Sequence, residues 1–528
     1  MITASIKNLV LDASAASFLC MQGDQSELNR TLNSAQKKGI RIWTYAGEYA
    51  DLLRWFKVEK QHGSPSEDLS VVSPLKKLEQ LRPEIQWLSA LTGDLQGNDD
   101  PDPIALALTR AATRLSGQAW IATADQSRVQ RGVPFVAVED LVIPGLRSQI
   151  RFIDLETQQD RIRTDLEEGI HRVLHHGRYV LGDEIDQLEA QLAEMSGAPH
   201  CICVSSGTDA LLAALMAIEL KPGDEVITSP FTFFSTAETI ALLGGVPIYV
   251  DIDPETFNLD PGRIDAAISP RTRAIMPVSL YGQCAEMDEI NAIARHHTLR
   301  VIEDAAQSFG ASFHGRRSCA LSDLACTSFF PAKPLGAYGD GGACFTQDAS
   351  LANRLRQIRD HGQEGRYHHT TLGINGRLDT IQAAVLIAKL KIFPDETVAR
   401  QRVADRYAEL LADLAETGCI TLPVVRSYNT SSWAQYTIRV ADREGIQQRL
   451  AEQGIPSAVH YPAPLYDQPA LLQSGQDCPE SDRAAREVLS LPMHPYLDDA
   501  TQLKIVQSLQ EALASSAGIQ PEAAAQEA

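Results

Sequence analysis

The chain has 528 residues, of which 44% are apolar and 22% charged, and it carries a net charge of −21. That apolar content excludes an intrinsically disordered chain, and the length leaves room for roughly two to four folding units with sizeable cores. Residues 1–150 are nearly balanced, with 16 Lys and Arg against 17 Asp and Glu, so the excess acid lies downstream and no general polyanion-binding surface is expected.

Residues 1–140 read as one small α/β block. The run Asn8-Leu9-Val10-Leu11-Asp12 predicts an apolar strand ending in an acid, and towards the end of the block comes the run Ala119-Trp120-Ile121-Ala122-Thr123-Ala124-Asp125. Between them lies Asp102-Pro103-Ile104-Ala105-Leu106, and Gly132-Val133-Pro134-Phe135 closes the block. This order resembles a PIN domain, an α/β fold whose carboxylates bind divalent metal for phosphodiester cleavage. The resemblance implies Asp12, Asp102 and Asp125, with Glu48 as a further candidate, as ligands for Mg²⁺ or Mn²⁺, and would make this block the one place for a nucleic-acid partner. Each acid can equally cap a helix or end a strand, and the proline after Asp102 departs from the motif by constraining the preceding backbone.

A connector, residues 141–151, contains Pro144 and Gly145. Residues 152–395 then alternate short β-branched runs with helical stretches, the pattern of βαβ units and a mostly parallel sheet. A small α+β domain is expected over 396–513, and the Ala/Glu/Gln/Ser-rich residues 514–528 read as a disordered tail.

Three motifs in the large domain carry chemistry. Val204-Ser205-Ser206-Gly207-Thr208-Asp209-Ala210 is a strand-to-helix junction whose small residues would let a phosphate reach backbone N–H groups. Val301-Ile302-Glu303-Asp304-Ala305-Ala306-Gln307 delivers a carboxylate at a strand end. Asp304 could keep a pyridine nitrogen protonated, or it could cap a helix. Ser328-Phe329-Phe330-Pro331-Ala332-Lys333-Pro334-Leu335-Gly336 sets one lysine in an apolar, glycine-framed loop, where partial desolvation makes an amine nucleophilic. Phosphate cup, carboxylate and lysine follow the order a pyridoxal-phosphate enzyme of fold type I needs.

From Phe152 to about residue 512 the chain resembles the DegT/DnrJ/StrS sugar aminotransferases. The stretches that carry the resemblance include Phe152-Ile153-Asp154-Leu155, Pro277 to Cys284, Arg366-Tyr367-His368-His369, Asn375 to Thr380, Val459-His460-Tyr461-Pro462 and Ser490 to Tyr496. It implies a fold-type I large domain with a small C-terminal domain, using pyridoxal phosphate. Lys333 would form the Schiff base, Asp304 would pair with the pyridinium and Gln307 would lie on the cofactor's phenolic side. Gly207, Thr208 and Ser328 would hold the phosphate. Phe233 would stack on the ring, although by sequence alone it reads as a core residue. Asn375 would reach the phosphate of a neighbouring subunit's cofactor, which makes a homodimer with shared sites the expected active unit. Arg377, His460 and Tyr461 would line the nucleotide-sugar cleft, with Arg377 facing a sugar carboxylate. Family members that dehydrate deoxysugars carry histidine in place of the lysine, so Lys333 favours amino transfer.

The resemblance therefore implies transamination of a nucleotide-linked keto sugar, UDP-2-acetamido-2-deoxy-3-oxo-glucuronate foremost, with glutamate as amino donor, for surface polysaccharide. Three other readings stand beside it: a UDP- or TDP-4-keto-6-deoxy sugar as substrate, a PIN-type nuclease with a regulatory aminotransferase-like domain, and a regulatory protein that holds the cofactor without turnover. Nine cysteines without metal-ligand spacing read as reduced thiols, with Cys201, Cys203 and Cys326 in the core. No secretory pattern opens the sequence and no apolar run approaches the ~20 residues of a membrane span, so a soluble cytoplasmic protein is expected.

Overall fold

The computed structural model describes residues 150–516 together with five strands of residues 1–149. The chain divides into two compact units, Met1–Gln149 and Ile150–Ala528. In the first, β1 (Asn8–Leu11), β2 (Arg41–Tyr45), β3 (Ile85–Leu88), β4 (Ala119–Thr123) and β5 (Phe135–Ala137) form one sheet in the order β3-β2-β1-β4-β5. Every pairing is parallel, and Leu11 of β1 lies opposite Ala122 of β4. Asp12, Glu48, Asp102 and Asp125, the metal ligands expected from sequence, lie outside the described residues. Among the described residues no group of three His, Cys, Asp or Glu side chains could hold a metal ion.

The second unit opens with α1 (Leu155–His176), capped by the Asp154 carboxylate accepting from Thr157 N–H and stopped by Gly177 in the left-handed region. Then comes α2 (Asp183–Ser196), and after it a seven-stranded sheet built from β6 (His200–Val204), β7 (Glu225–Thr228), β8 (Val246–Tyr249), β9 (Thr272–Met276), β10 (Arg300–Asp304), β11 (Leu324–Ser328) and β12 (Gly342–Thr346). The order is β6-β12-β11-β10-β9-β7-β8, with β12 antiparallel to both of its neighbours. Helices cover both faces, so the central strands read as continuous apolar runs. Along β6 the sides alternate: Cys201 and Cys203 pack with Leu188, Leu192, Phe345 and Leu386. Ile202 and Val204 pack on the opposite face with Ala210, Leu211 and Leu355.

The connecting helices that bear on the site are α3 (Gly207–Ala217), α4 (Ser235–Leu242), α5 (Met287–His297), α6 (Ala349–Arg359) and α7 (Thr380–Leu390). A buried ion pair ties several of these pieces together. Arg359 Nη1 donates to Glu189 and to the Cys203 carbonyl (3.0 Å), and Cys203 N–H donates to Glu189 (2.8 Å). Removing either charge would strand the other in the core.

Past α8 (Phe393–Leu410) lies a smaller layer, the antiparallel sheet β13 (Ile420–Thr421), β14 (Tyr436–Val440) and β15 (Val488–Leu491). It packs against α8, α9 (Arg443–Glu452) and α10 (Asp499–Ser516) through Tyr407, Tyr436, Ile438, Leu450, Leu489 and Leu509. That last helix continues through Ala514 to Ser516, into the stretch read from sequence as tail, because Leu509 and Ala512 bury against the small sheet. Residues 517–528 lie outside the described residues. The eight cysteines among the described residues are free and all but Cys419 are buried, including Cys201, Cys203 and Cys326 in the apolar strands where core positions were expected. No helix among the described residues is long and apolar enough to cross a membrane.

Candidate active site

The C-terminal ends of β6, β10 and β11 bring the three motifs together, the edge where open α/β sheets bind ligands. At the first, Ser206 caps α3 by accepting from Asp209 N–H (3.0 Å), while Ser205 and Ser206 hydroxyls hold the Asp209 carboxylate (2.5 and 2.9 Å). The packing behind this turn requires glycine. A Cβ on Gly207 would lie 2.7 Å from Ser328 Cβ, and one on Gly342 would lie 2.4 Å from the Ser206 carbonyl oxygen. Ser205 N–H also donates to the Gly376 carbonyl (2.9 Å). Gly207, Thr208, Ser328 and the segment Asn375-Gly376-Arg377 therefore converge on one helix N-terminus, whose free N–H groups favour an anion.

Asp304 ends β10 and is 4% exposed. Thr236, on α4, donates its hydroxyl to Oδ2 (2.8 Å), and Ala306 N–H donates to Oδ1 (3.2 Å). Burial pushes the Asp304 carboxyl pKa up, while those two donors and the Lys333 ammonium act against that. Adjacent Glu303 faces the other way and is satisfied by the hydroxyls of Ser279 (3.0 Å) and Ser318 (2.9 Å) and by Cys319 N–H (3.0 Å).

Lys333 sits in a closed loop. Phe329 N–H bonds the Gly341 carbonyl (2.7 Å), Ala337 N–H bonds the Phe329 carbonyl (2.7 Å) and Lys333 N–H bonds the Phe330 carbonyl (2.9 Å). The side chain is half-buried, and burial lowers its pKa from the ordinary lysine value while the Asp304 carboxylate opposes the shift. A lowered pKa is the direction that the apolar loop composition predicts, and it makes an amine more available as a nucleophile.

Gln307 joins the two layers of this unit. Its Oε1 accepts from Tyr281 N–H (2.7 Å), its Nε2 donates to the Tyr461 hydroxyl (3.1 Å) and its carbonyl accepts from the Ser432 hydroxyl (2.7 Å). The Tyr281 hydroxyl donates to the His460 carbonyl, and His460 Nδ1 lies 3.0 Å from the Ser490 hydroxyl. Burial raises the pKa of the Tyr461 phenol, with the Asp304 carboxylate adding to the effect. Burial and then the Lys333 charge lower His460 to about 4. The imidazole is therefore neutral at pH 7. Because its folded value lies below the ordinary 6.5, the fold loses stability as pH falls from about 6.5 to about 4. Titration by ¹⁵N NMR is expected to show His460 unprotonated down to about pH 5. A midpoint near 6.5 would mean that the ring is solvated.

Phe233 is not the core residue its sequence setting suggests. It is 56% exposed with its ring 6.1 Å from that of Tyr461, while Phe231, two residues earlier, is fully buried. The chain bends at Phe231 and Thr232, just before α4, so the two rings are not held on one face as they would be along a straight strand. Asn375 is exposed and its backbone pairs with Asp360. Arg377 is engaged within the chain, with Nη1 donating to Asp360 Oδ1 (2.5 Å). Every residue expected at the cofactor and sugar positions thus falls in the second unit around this sheet edge. Sequence reasoning missed Thr236, Tyr281, Ser490 and Asp360. The Tyr281 and Ser490 stretches carried the family resemblance, whereas Thr236 and Asp360 gave no signal of their own.

Comparison with known proteins agrees with this geometry. Residues 160–510 match the model of the DegT/DnrJ/EryC1/StrS aminotransferase family. A UDP-2-acetamido-2-deoxy-3-oxo-D-glucuronate aminotransferase of Pseudomonas aeruginosa is 57% identical over 357 residues, covering 68% of this chain and 98% of that protein. A DegT/DnrJ/EryC1/StrS aminotransferase from Brucella abortus, known from its crystal structure, is 43% identical with a TM-score of 0.66, covering 68% of this chain and 98% of that one. The crystal structure of NtdA from Bacillus subtilis with bound cofactor PMP is 30% identical with a TM-score of 0.66, covering 78% of this chain and 97% of that one. The second unit has the fold-type I aminotransferase architecture, and the chain belongs to the DegT/DnrJ/EryC1/StrS aminotransferase family.

Proposed function

We propose that this aminotransferase moves an amino group from glutamate to a nucleotide-linked keto sugar, UDP-2-acetamido-2-deoxy-3-oxo-glucuronate, as a step in making surface polysaccharide. The observation that carries the reading is that one sheet edge brings together buried Asp304, the Ser328–Lys333 loop and the Gly207 turn. The 57% identical relative named for that sugar supports the substrate.

The site fits pyridoxal phosphate. The glycine-only packing at Gly207 and Gly342 leaves the N-terminus of α3 open to a phosphate, with Thr208 and Ser328 at its side. Asp304 suits the pyridine nitrogen, Phe233 offers an exposed ring and Gln307 offers an amide. When bound, the cofactor would supply an electron sink for the carbanion formed at the amine-bearing carbon. The chain's own residues do the rest. Lys333 Nζ, with its lowered pKa, takes a proton from that carbon and returns it. The Thr236 hydroxyl, the Ala306 N–H and the Lys333 charge act against the upward shift that burial gives the Asp304 carboxyl. His460 and Tyr461 shape the sugar side as neutral hydrogen-bonding groups, and Arg377 presents a planar fork to a carboxylate. We further propose a homodimer in which exposed Asn375 serves the partner's site.

The test is a mass-spectrometric assay with pyridoxal phosphate, glutamate and a panel of UDP- and TDP-linked 3-keto and 4-keto sugars. Amination of the UDP-3-keto uronic acid alone is the expected result. Product from a 4-keto-6-deoxy sugar instead would keep the chemistry and overturn the substrate. A second reading concerns the first unit. Its five parallel strands, with β4 beside β1, support a PIN-like fold, and metal-dependent RNA cleavage lost in Asp12→Asn would establish a nuclease there.

A further inference from the structure

α7 holds a lysine that the proposed chemistry does not use. Lys389 is 1% exposed, and no hydrogen-bond acceptor reaches its Nζ among the described residues. The ring it approaches, Tyr338, packs against Ile162, Leu166, Val385 and Ala388. The carboxylate that acts on it electrostatically, Glu396, is already committed to Gln158 Nε2 (3.0 and 2.8 Å) and to the Tyr496 hydroxyl. What the ammonium does meet is an aromatic face: Nζ lies 4.2 Å from the centroid of the Tyr338 ring. Burial accordingly lowers Lys389 to about 8, with Glu396 opposing.

Tyr338 belongs to the loop that carries Lys333, and α7 grips it twice. Gln382 Oε1 accepts from Tyr338 N–H (2.9 Å) and Gln382 Nε2 donates to the Tyr338 carbonyl (3.3 Å), fixing the backbone. Lys389, two turns further along the same helix face, fixes the ring. The loop's other closures are internal, among Phe329, Phe330, Ala337 and Gly341. A buried ammonium without an acceptor costs stability, and attraction to a ring face offsets only part of that cost. A methionine would fill the same volume without it.

We propose that Lys389 is a positioning residue for the Lys333 loop, acting through the ring of Tyr338. The inference rests on the reading of Lys333 as the amine that links the cofactor. It is tested in the full-length protein with Lys389→Met, Lys389→Arg and Tyr338→Leu. The readouts are hydrogen exchange across residues 329–341, the rate of pyridoxal-phosphate capture by absorbance, and Tm. In Lys389→Met the amides of Lys333 and Ala337 are expected to exchange roughly tenfold faster and capture to slow by a similar factor, while Tm stays level or rises. Lys389→Arg, which keeps a cation for the ring, is expected to retain wild-type exchange and capture. Tyr338→Leu, with Lys389 intact, is expected to loosen the same amides and decides the matter if Lys389→Met does not fold. Wild-type exchange and capture in Lys389→Met would overturn the proposal, and so would a lowered Tm with faster exchange throughout the fold. The Lys333 reading fails separately, if Lys333→Ala still links the cofactor covalently, and the exchange result stands apart from that outcome.

Discussion

Lys333→Ala is expected to abolish amino transfer, with kcat falling more than about 10⁴-fold, since the acid–base share of such a residue alone is about 10²–10⁴-fold and the nucleophile is lost as well. The fold should survive. Lys333 makes its hydrogen bond to Phe330 through the backbone, and alanine keeps that N–H. Removing a half-buried amine also removes a desolvation cost, so Tm is expected to hold. Asp304 would then lack the nearby cation that opposes its upward shift, and its pKa should rise further. Single-turnover measurements with glutamate, alongside the visible spectrum of added pyridoxal phosphate, check the assignment. Retained amino transfer, or an unchanged lysine-linked absorption band, would show that another amine does the work.

The parts of the site that could be read in the sequence are those whose local backbone context fixes their role. Ser205 to Thr208 sit between a strand and a helix, Asp304 ends a strand and Lys333 follows one, so each was tied to the sheet edge by its own neighbours. The alternation of strand and helix runs gave the layered sheet for the same reason, since burial on both faces leaves an apolar signature. What stayed hidden depends on contacts between distant segments. Arg377 and Asp360 lie in separate loop stretches, and nothing in either predicts that they pair. Phe231 and Phe233 look equivalent in sequence, and only the packing decides which one is buried. Lys389 is the extreme case. On a helix, a lysine beside apolar positions reads as a stem lying along the surface with its head in water. Here the helix is closed over by α1, and the ammonium ends above a tyrosine ring. In the first unit β1 was legible, because an apolar run there ends in an acid.

Arg377→Ala is expected to cost selectivity more than turnover. A charge-assisted hydrogen bond between guanidinium and carboxylate contributes about 1.5–3 kcal/mol, so kcat/KM for the uronic acid should fall roughly 10–100-fold while that for a neutral keto sugar moves little. The ion pair with Asp360 sharpens the expectation. It takes Nη1 and leaves the guanidinium's remaining donors for a ligand, while the backbone pairing of Asp360 with Asn375 holds the acid in place. The arginine would thus meet a carboxylate with its orientation already set, and less side-chain freedom would be lost on binding. Both partners are about one-quarter exposed, so removing Arg377 leaves Asp360 in reach of water and should destabilise the fold little. Asp360→Asn provides the comparison: it keeps the turn, frees the guanidinium and should retain preference for the acid. Equal losses on acidic and neutral sugars in Arg377→Ala would instead assign that arginine to nucleotide contact or to holding the loop.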